Sequence, residues 1–487
     1  MTDLRLIPAA LTAWAVTAAG IGWGYAAAGA AVLVGVAATV GAGWWASRAR
    51  VPAGRRPILV AAAAVALVGG GFAIAVCLRV DAVRHHPATT HVGSVVEVVV
   101  TPDETPRVLE GGRTMFRATL ARLDGVRSSG AVLVFASGAD YAALQAGRPA
   151  GFRARVSRPS RSDLSVAVLS ATGRPRLGVA APVYRLAHRI RAGFADAVRL
   201  VLPAEQAALL PALVLGDTSA VPAQTAKVFR TAGLTHLMAV SGANITIVCG
   251  AMLLSAALVG PRIAVVLAGL TLAGFVVVVQ PSASVLRAAV MGAITLLAVL
   301  THRRRQALPA LAAAIIVLMI ATPQLAVDVG FALSVSATAG LILVAPVWSQ
   351  RLQGRGWPRP LADAVSVAMA AQLVTAPLVA GVSGSVSFVA VIANLIVAPV
   401  IPPITLIGTA AAALCPLWPA GAQLLIRFTG PEVWWLASVA RWAAAVPVAA
   451  VPVPSGLAGV ALVAAGSCIV AAVWHWGLSG RRDTIVR

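Results

Sequence analysis

ILVAAAAVALVGGGFAIAVCL, residues 58–78, is a run of 21 residues without a charge or a hydrogen-bonding side chain. At 1.5 Å per residue a helix of that length covers the ~30 Å of a bilayer's hydrocarbon core. Arg55 and Arg56 stand just before it and Arg79 directly after it, so charge brackets the run at both ends. Two further apolar stretches precede it, near Leu6–Gly24 and Ala26–Ala46. Together they predict an N-terminal group of three transmembrane helices over residues 1–80. No signal-peptide cleavage site interrupts the first of them.

Composition extends this reading to the whole chain. Of 487 residues 59% are apolar and 11% charged, about half the charge density of a soluble domain. Lys and Arg number 38 against 16 Asp and Glu, a net of +22, and Lys227 is the only lysine. Such an excess fits positive-inside loops and anionic lipid heads as well as a polyanionic partner, and position has to separate the two. The cysteines Cys77, Cys249, Cys415 and Cys468 are single residues in or beside apolar runs, which predicts no disulfide framework and no cysteine-based metal site.

Residues 81–178 read differently. Short β-type runs, SVVEVVV (94–100), TMFRATLARL (114–123), AVLVFAS (131–137), GFRARVS (151–157) and LSVAVLS (164–170), are separated by polar turns. Apolar and polar residues alternate along Phe116–Leu123 and Phe152–Val156. Five such strands predict a small OB-like β-barrel. From Asp81 to Arg176 there are 13 arginines and 8 acidic residues, a modest excess of +5. Residues 179–235 then predict amphipathic and interfacial helices. Val183, Leu186, Ile190, Phe194 and Val198 form one stripe, with Arg185, Arg189 and Arg191 off it. Two shorter pieces, Glu205–Leu215 and Ala223–Thr231, flank an LGD turn.

A second membrane block is expected over 236–480, with spans at 237–259, 263–279, 285–301, 307–322, 329–347, 361–383, 386–413, 424–447 and 455–476, before a cytoplasmic tail at 481–487. The fold class is thus a polytopic α-helical membrane protein of about 12 spans with one small extracytoplasmic OB-like β-barrel. Arginine at 48, 50, 55 and 56 places the loop before residue 58, and with it the N-terminus, in the cytoplasm. Arg262, Arg303-Arg304-Arg305, Arg351/Arg355/Arg359 and Arg481-Arg482 then all fall on the cytoplasmic side, and the β domain falls outside.

Polar side chains at membrane depth are costly and become functional candidates for that reason. They are Asn244, Gln280, Arg287, Gln324, Asp328, Gln372, Asn394, Glu432 and Arg441. Two readings stay open: a polar funnel opening outward, or snorkelling for Arg287 and Asp328 and helix-to-helix hydrogen bonds for Gln372 and Asn394. The proline-rich NLIVAPVIPPITLIG (394–408) predicts a broken helix. Catalytic signatures are missing. The chain has no G-x-x-x-x-G-K-[ST] loop. His85, His86 and His91 are a juxtamembrane trio better read as loop than as metal ligands. Ser241, in AVSGAN, matches a nucleophile elbow only loosely. No enzyme activity, cofactor or metal is expected.

ALVLGDTSAVPAQTAKVFRTAGLTHLMAVSGANITIVCG (212–250) resembles the signature of the ComEC family of competence DNA-uptake channels. The likeness rests on Leu215-Gly216-Asp217, on Gly233-Leu234-Thr235-His236-Leu237 and on Ala239-Val240-Ser241-Gly242. PSASVLRAAVMG (281–292), TPQLAVDVGFALSVSATAGL (322–341) and AQLVTAPLVAGVSGSVSFVAVIANLIVAPVIPP (371–403) are similar to later family segments, in the same order. Two departures stand out. Ala243-Asn244 replaces a frequent Leu-His pair, and no H-x-H-x-D-H sequence of a metallo-β-lactamase-like domain follows the last span. The resemblance implies a cytoplasmic-membrane channel for single-stranded DNA, with a separate ATPase motor and a separate nuclease, and a homo-oligomer is compatible with it. Asp217, His236, Ser241, Gly242, Asn244, Arg287, Asp328, Gln372 and Asn394 are the channel candidates. A small-solute or lipid-linked-substrate transporter and a non-conducting scaffold subunit remain the alternatives. Turn-forming roles for Asp217, Gly233 and Ser241 remain open beside the channel roles.

Overall fold

The computed structural model describes residues 4–24, 26, 29–30, 56–109, 111–256, 259–301 and 306–479. The expected span at Ala26–Ala46 apart from residues 26, 29 and 30, the loop arginines 48, 50 and 55, the run Arg303-Arg304-Arg305 and the tail from residue 480 lie outside the described residues. The chain forms two compact units. One comprises Met1–His188, Val276–Ser282 and Leu308–Asp328, the other Arg189–Phe275, Ala283–Ala307 and Val329–Arg487.

In the first unit, helices α1 (Ile7–Trp23) and α2 (Arg56–Arg84) pack side by side. The buried face of α1 is Ala10, Ala13, Thr17, Gly20 and Ile21, small residues at helical spacing that permit a close approach. Gly69 of α2 answers them, since a Cβ there would stand 3.0 Å from Cγ2 of Thr12.

The barrel follows. Its strands are β1 (Val95–Pro102), β2 (Arg113–Leu123), β3 (Val126–Ser137), β4 (Ala150–Ser157) and β5 (Ala167–Leu177). A two-residue strand, Arg107–Val108, adds to the edge of β2. The ladder runs β1-β4-β5-β3-β2 and closes through β1–β2. All pairs are antiparallel except β3–β5, which is the connectivity of an OB barrel. The alternation in the sequence is what fills it. Val96, Val98, Val100, Phe116, Ala118, Leu120, Val132, Val134, Phe152, Ala154, Val156 and Leu169 are all buried, and the intervening arginines Arg117, Arg153 and Arg155 are exposed. Of the four aromatics, Phe116, Tyr141 and Phe152 are core, with Tyr141 edge-on to Phe152 at 5.5 Å. Phe135 lies on the outer side beneath the Arg113 guanidinium, 5.4 Å from its ring centre.

His86 sits at the foot of the barrel. Its Nδ1 accepts from the Ala88 N–H at 3.1 Å, its Nε2 lies 3.1 Å from Ser128 Oγ, and burial pushes its pKa below the usual value. A depressed pKa means that the unfolded state takes up the proton first. The His86 contribution is therefore complete above about pH 6.5 and is lost as pH falls through the folded value. Asp103, pushed up by burial, acts with the opposite sign and only near the carboxylate range. Protection of the barrel amides in the full chain, with the intrinsic pH dependence of exchange divided out, should fall between pH 7 and 5, and His86→Gln should flatten that dependence. An unchanged slope in the variant would remove His86 from the account.

Seven described helices are long and apolar enough to cross a membrane, and four apolar helices of 10–17 residues accompany them. The expected count of about 12 is therefore not met by span-length helices among the described residues. Short helices and charge account for the difference within the second membrane block. The predicted span 237–259 opens with a 3-10 turn, Thr235–Met238, and an extended Ser241, so its helix is only Gly242–Ser255. The predicted 307–322 is a 15-residue helix, Ala307–Ala321. The predicted 386–413 is among the seven as Ala390–Leu414, although it follows a short strand, Ser385–Ser387, and its α-helix is interrupted by a 3-10 turn at Ala398–Val400. Pro419–Ala445 forms one 27-residue helix but carries Arg427, Glu432 and Arg441.

Candidate polar site of the membrane unit

Most of the span-length helices lie in the second unit, where shorter helices carry the LGD turn and the residues around it. Helix α3 (Pro182–Val201) delivers its buried C-terminal half, Phe194, Ala197 and Val198, while Val183 and Leu186 near its start remain exposed. Helix α4 (Ala204–Leu215) is buried from Leu209 to Leu215. It ends at Gly216, whose φ of +68° lets the chain reverse, with the Gly216 and Asp217 N–H groups donating back to Ala212 and Pro211. Asp217 is thus set just beyond a helix C-terminus. Its carboxylate accepts from the Ser219 N–H and hydroxyl and faces Arg191 at 3.2 Å. Arg191 also donates to the Leu215 carbonyl at 3.0 Å. Their side chains are 10% and 20% exposed, so the pair clamps α3 to the LGD turn in a largely dry setting.

Sequence reasoning left Arg191 on the polar face of α3, and the structure turns it inward. The signal was present: Ala187, Arg191, Phe194 and Val198 repeat at helical spacing, so Arg191 flanks the buried stripe. Helix α5 (Ala223–Thr231) leads to Gly233, where φ is +73° and a Cβ would meet that of Ala390 at 2.4 Å. Beside it the Ser387 hydroxyl donates to the Thr231 carbonyl at 2.9 Å, and Gln372 Nε2 donates to the Ser387 carbonyl at 3.3 Å.

Four candidates come together where helices α6 (Gly242–Ser255), α7 (Ala283–Leu300) and α8 (Val329–Leu343) meet. The Ser241 hydroxyl donates to Asn244 Oδ1 at 3.2 Å, and Asn244 Nδ2 donates to the Leu213 carbonyl at 3.3 Å, which ties α6 to α4. Arg287, 6% exposed, turns inward rather than snorkelling. Its Nε donates to Ser334 Oγ at 2.8 Å and its Nη1 points at Met291 Sδ at 3.2 Å. Ser334 in turn donates to Ser284. Nη2 lies against Gly242, 2.9 Å from where a Cβ would stand. Among the described residues no carboxylate forms an ion pair with Arg287. Ser284 and Ser334 were missed from sequence, where hydroxyls in an apolar helix carry little signal.

The other candidates lie elsewhere. Asp328 belongs to the first unit and pairs with Arg117 of the barrel at 3.7 Å. Gln280, in the same unit, accepts from the Thr105 N–H and hydroxyl at 3.0 Å. Asn394 donates to the Ala390 carbonyl one turn back on its own helix, and His236 is exposed on the 3-10 turn. No group of three or more His, Cys, Asp or Glu placed to hold a metal ion occurs among the described residues.

A membrane protein with a closed five-stranded barrel, broken helices and a buried cluster of serine, asparagine and an arginine with no ion pair among the described residues is the class that fold and site define. Residues 213–478, more than half of the chain, match the family described as Competence protein. The chain belongs to that family. It is also similar to ComE operon protein 3 of Bacillus subtilis (strain 168), 26% identical over 201 residues, which is 41% of this chain and 25% of that relative. The similarity thus spans about a quarter of the relative's length. No solved structure matches the chain.

Proposed function

We propose that the chain forms a path by which single-stranded DNA crosses the cytoplasmic membrane during competence. The observation that carries this reading is Arg287, a buried cation among three membrane helices without a carboxylate partner among the described residues. Burying such a charge costs several kcal/mol on most scales, and a polyanion moving past it offsets that cost in a way a packing role does not. Membership of the competence family supports DNA as the substrate class. In this reading Ser241, Gly242, Asn244 and Arg287 shape the path, and Gln372 and the 233–244 segment border it.

In this reading the barrel lies outside the membrane and both termini are cytoplasmic. Its exposed Arg113, Arg117, Arg153 and Arg155 and the outward Phe135 offer charge and one stacking face to a single strand. The sequence holds no P-loop, so ATP-driven movement draws on a separate motor. The test is uptake of labelled DNA into cells, scored as material protected from external nuclease. Wild type should restore uptake to a deletion strain, and Arg287→Ala, expressed at equal level, should lower it at least ~10-fold, the effect of losing about 1.4 kcal/mol. Undiminished uptake in the deletion strain would reject the DNA path and favour transport of a small solute.

A further inference from the structure

We propose that the N-terminus of the Gly242–Ser255 helix and the Arg287 guanidinium together bind one phosphate group. Assigning that group to the DNA backbone rests on the proposed function; the site itself rests on geometry. The helix has 14 residues, and its Ncap, Ser241, makes no side-chain bond to the first-turn N–H groups. The hydroxyl is committed to Asn244 instead, and Asn244 to Leu213. The first-turn donors of Gly242 and Ala243 are left open, with Ala243 exposed and Gly242 half-buried. A helix end in that state carries a partial positive charge.

Against this end stands a second positive charge. Arg287 is 94% buried, held by Ser334 through Nε and by Met291 through Nη1, and its Nη2 has no hydrogen-bond partner among the described residues. That atom approaches Gly242 so closely that a Cβ would meet it at 2.9 Å. A guanidinium beside an uncapped helix N-terminus is repulsive until an anion bridges the two from the open side. A tetrahedral oxyanion suits the place, since it accepts from backbone N–H groups and from a guanidinium edge at once. Glycine at 242 admits the guanidinium to the side of the helix end, and the Ser334–Ser284 hydroxyl pair fixes the arginine's direction. Within a path, a single-phosphate site of this kind lets a strand bind and still move on.

The experiment uses the full chain in a neutral detergent and follows unfolding by tryptophan fluorescence, in inorganic phosphate against chloride at equal ionic strength. Wild type should gain roughly 2 °C in midpoint at saturating phosphate. Arg287→Gln and Gly242→Ala should lose the gain, and Arg287→Lys should keep part of it. Ala243→Asp guards against misfolding: a carboxylate in the first turn stabilises the helix and occupies the site, so the protein should fold and ignore phosphate. No phosphate-specific gain in wild type, or an equal gain in Arg287→Gln and Ala243→Asp, would overturn the site.

Oligothymidylate, its uncharged methylphosphonate analogue and dihexanoylphosphatidylglycerol then separate the sources. A gain with oligothymidylate alone, absent from Ala243→Asp, supports the DNA backbone. A gain with the lipid alone overturns that assignment. Loss of the phosphate response in Ala243→Asp with normal DNA uptake would keep the site and defeat the DNA path.

Discussion

Asp217→Ala should leave the Arg191 guanidinium buried without its carboxylate and cost about 3–5 kcal/mol of stability, the range for breaking a buried pair from one side. Arg191 retains its bond to the Leu215 carbonyl, which softens the loss without neutralising the charge. The double variant Arg191→Met/Asp217→Ala removes both charges and should recover more than half of the deficit. Unfolding midpoints of the four proteins in detergent complete the cycle. A single variant within about 1 kcal/mol of wild type would reject the clamp. The same proteins decide between the two readings of Asp217. A residue of the DNA path would lower uptake at normal folded yield, whereas a clamp residue lowers the yield itself.

Gly233→Ala should cost roughly 2–5 kcal/mol, from two separable sources. The left-handed backbone at φ +73° accounts for about 1–2 kcal/mol once a Cβ is present. Overpacking against Ala390, whose Cβ would lie 2.4 Å away, adds about 1–3 kcal/mol. Ala390→Gly placed in the same chain should relieve most of the second part, with Ala390 Cα at 3.1 Å and Ser387 Oγ at 3.2 Å still close, and leave the first. If the double variant is no more stable than Gly233→Ala, the close approach to Ala390 carries none of the cost. Both predictions treat the stretch from Leu215 to Gly233 as a packing device. Gly216 and Asp217 close a helix, Gly233 brings the turn against the Ala390 helix, and only then does Gly242 meet Arg287.

Much of this was legible in the chain's one-dimensional pattern. The 58–78 run lies within a 29-residue helix because an unbroken apolar segment in hydrocarbon satisfies its backbone internally. The barrel was legible from alternation along 116–123 and 152–156, because the side-chain period of a strand is two and a closed sheet has one inner face. What alternation could not convey is closure itself. The β1–β2 and parallel β3–β5 pairings join residues far apart in the chain and depend on the whole ladder.

The membrane unit divides differently. Composition marks Arg287 as anomalous in an apolar helix, but its direction depends on Ser334, 47 positions away on another helix. Periodicity placed Arg191 beside the polar arginines of its helix. Only the approach of the LGD turn, which brings a carboxylate to it, makes the inward orientation affordable. Span lengths shortened for a related reason. Hydropathy counts apolar residues, whereas Ser241 and the prolines near 400 set backbone angles, and a helix ends on angles before it ends on hydrophobicity. The sequence by itself determined where the chain is apolar, where it alternates and where it must turn. The tertiary structure alone decided which buried charges are paired, because a partner distant in the chain is found only when the helices pack.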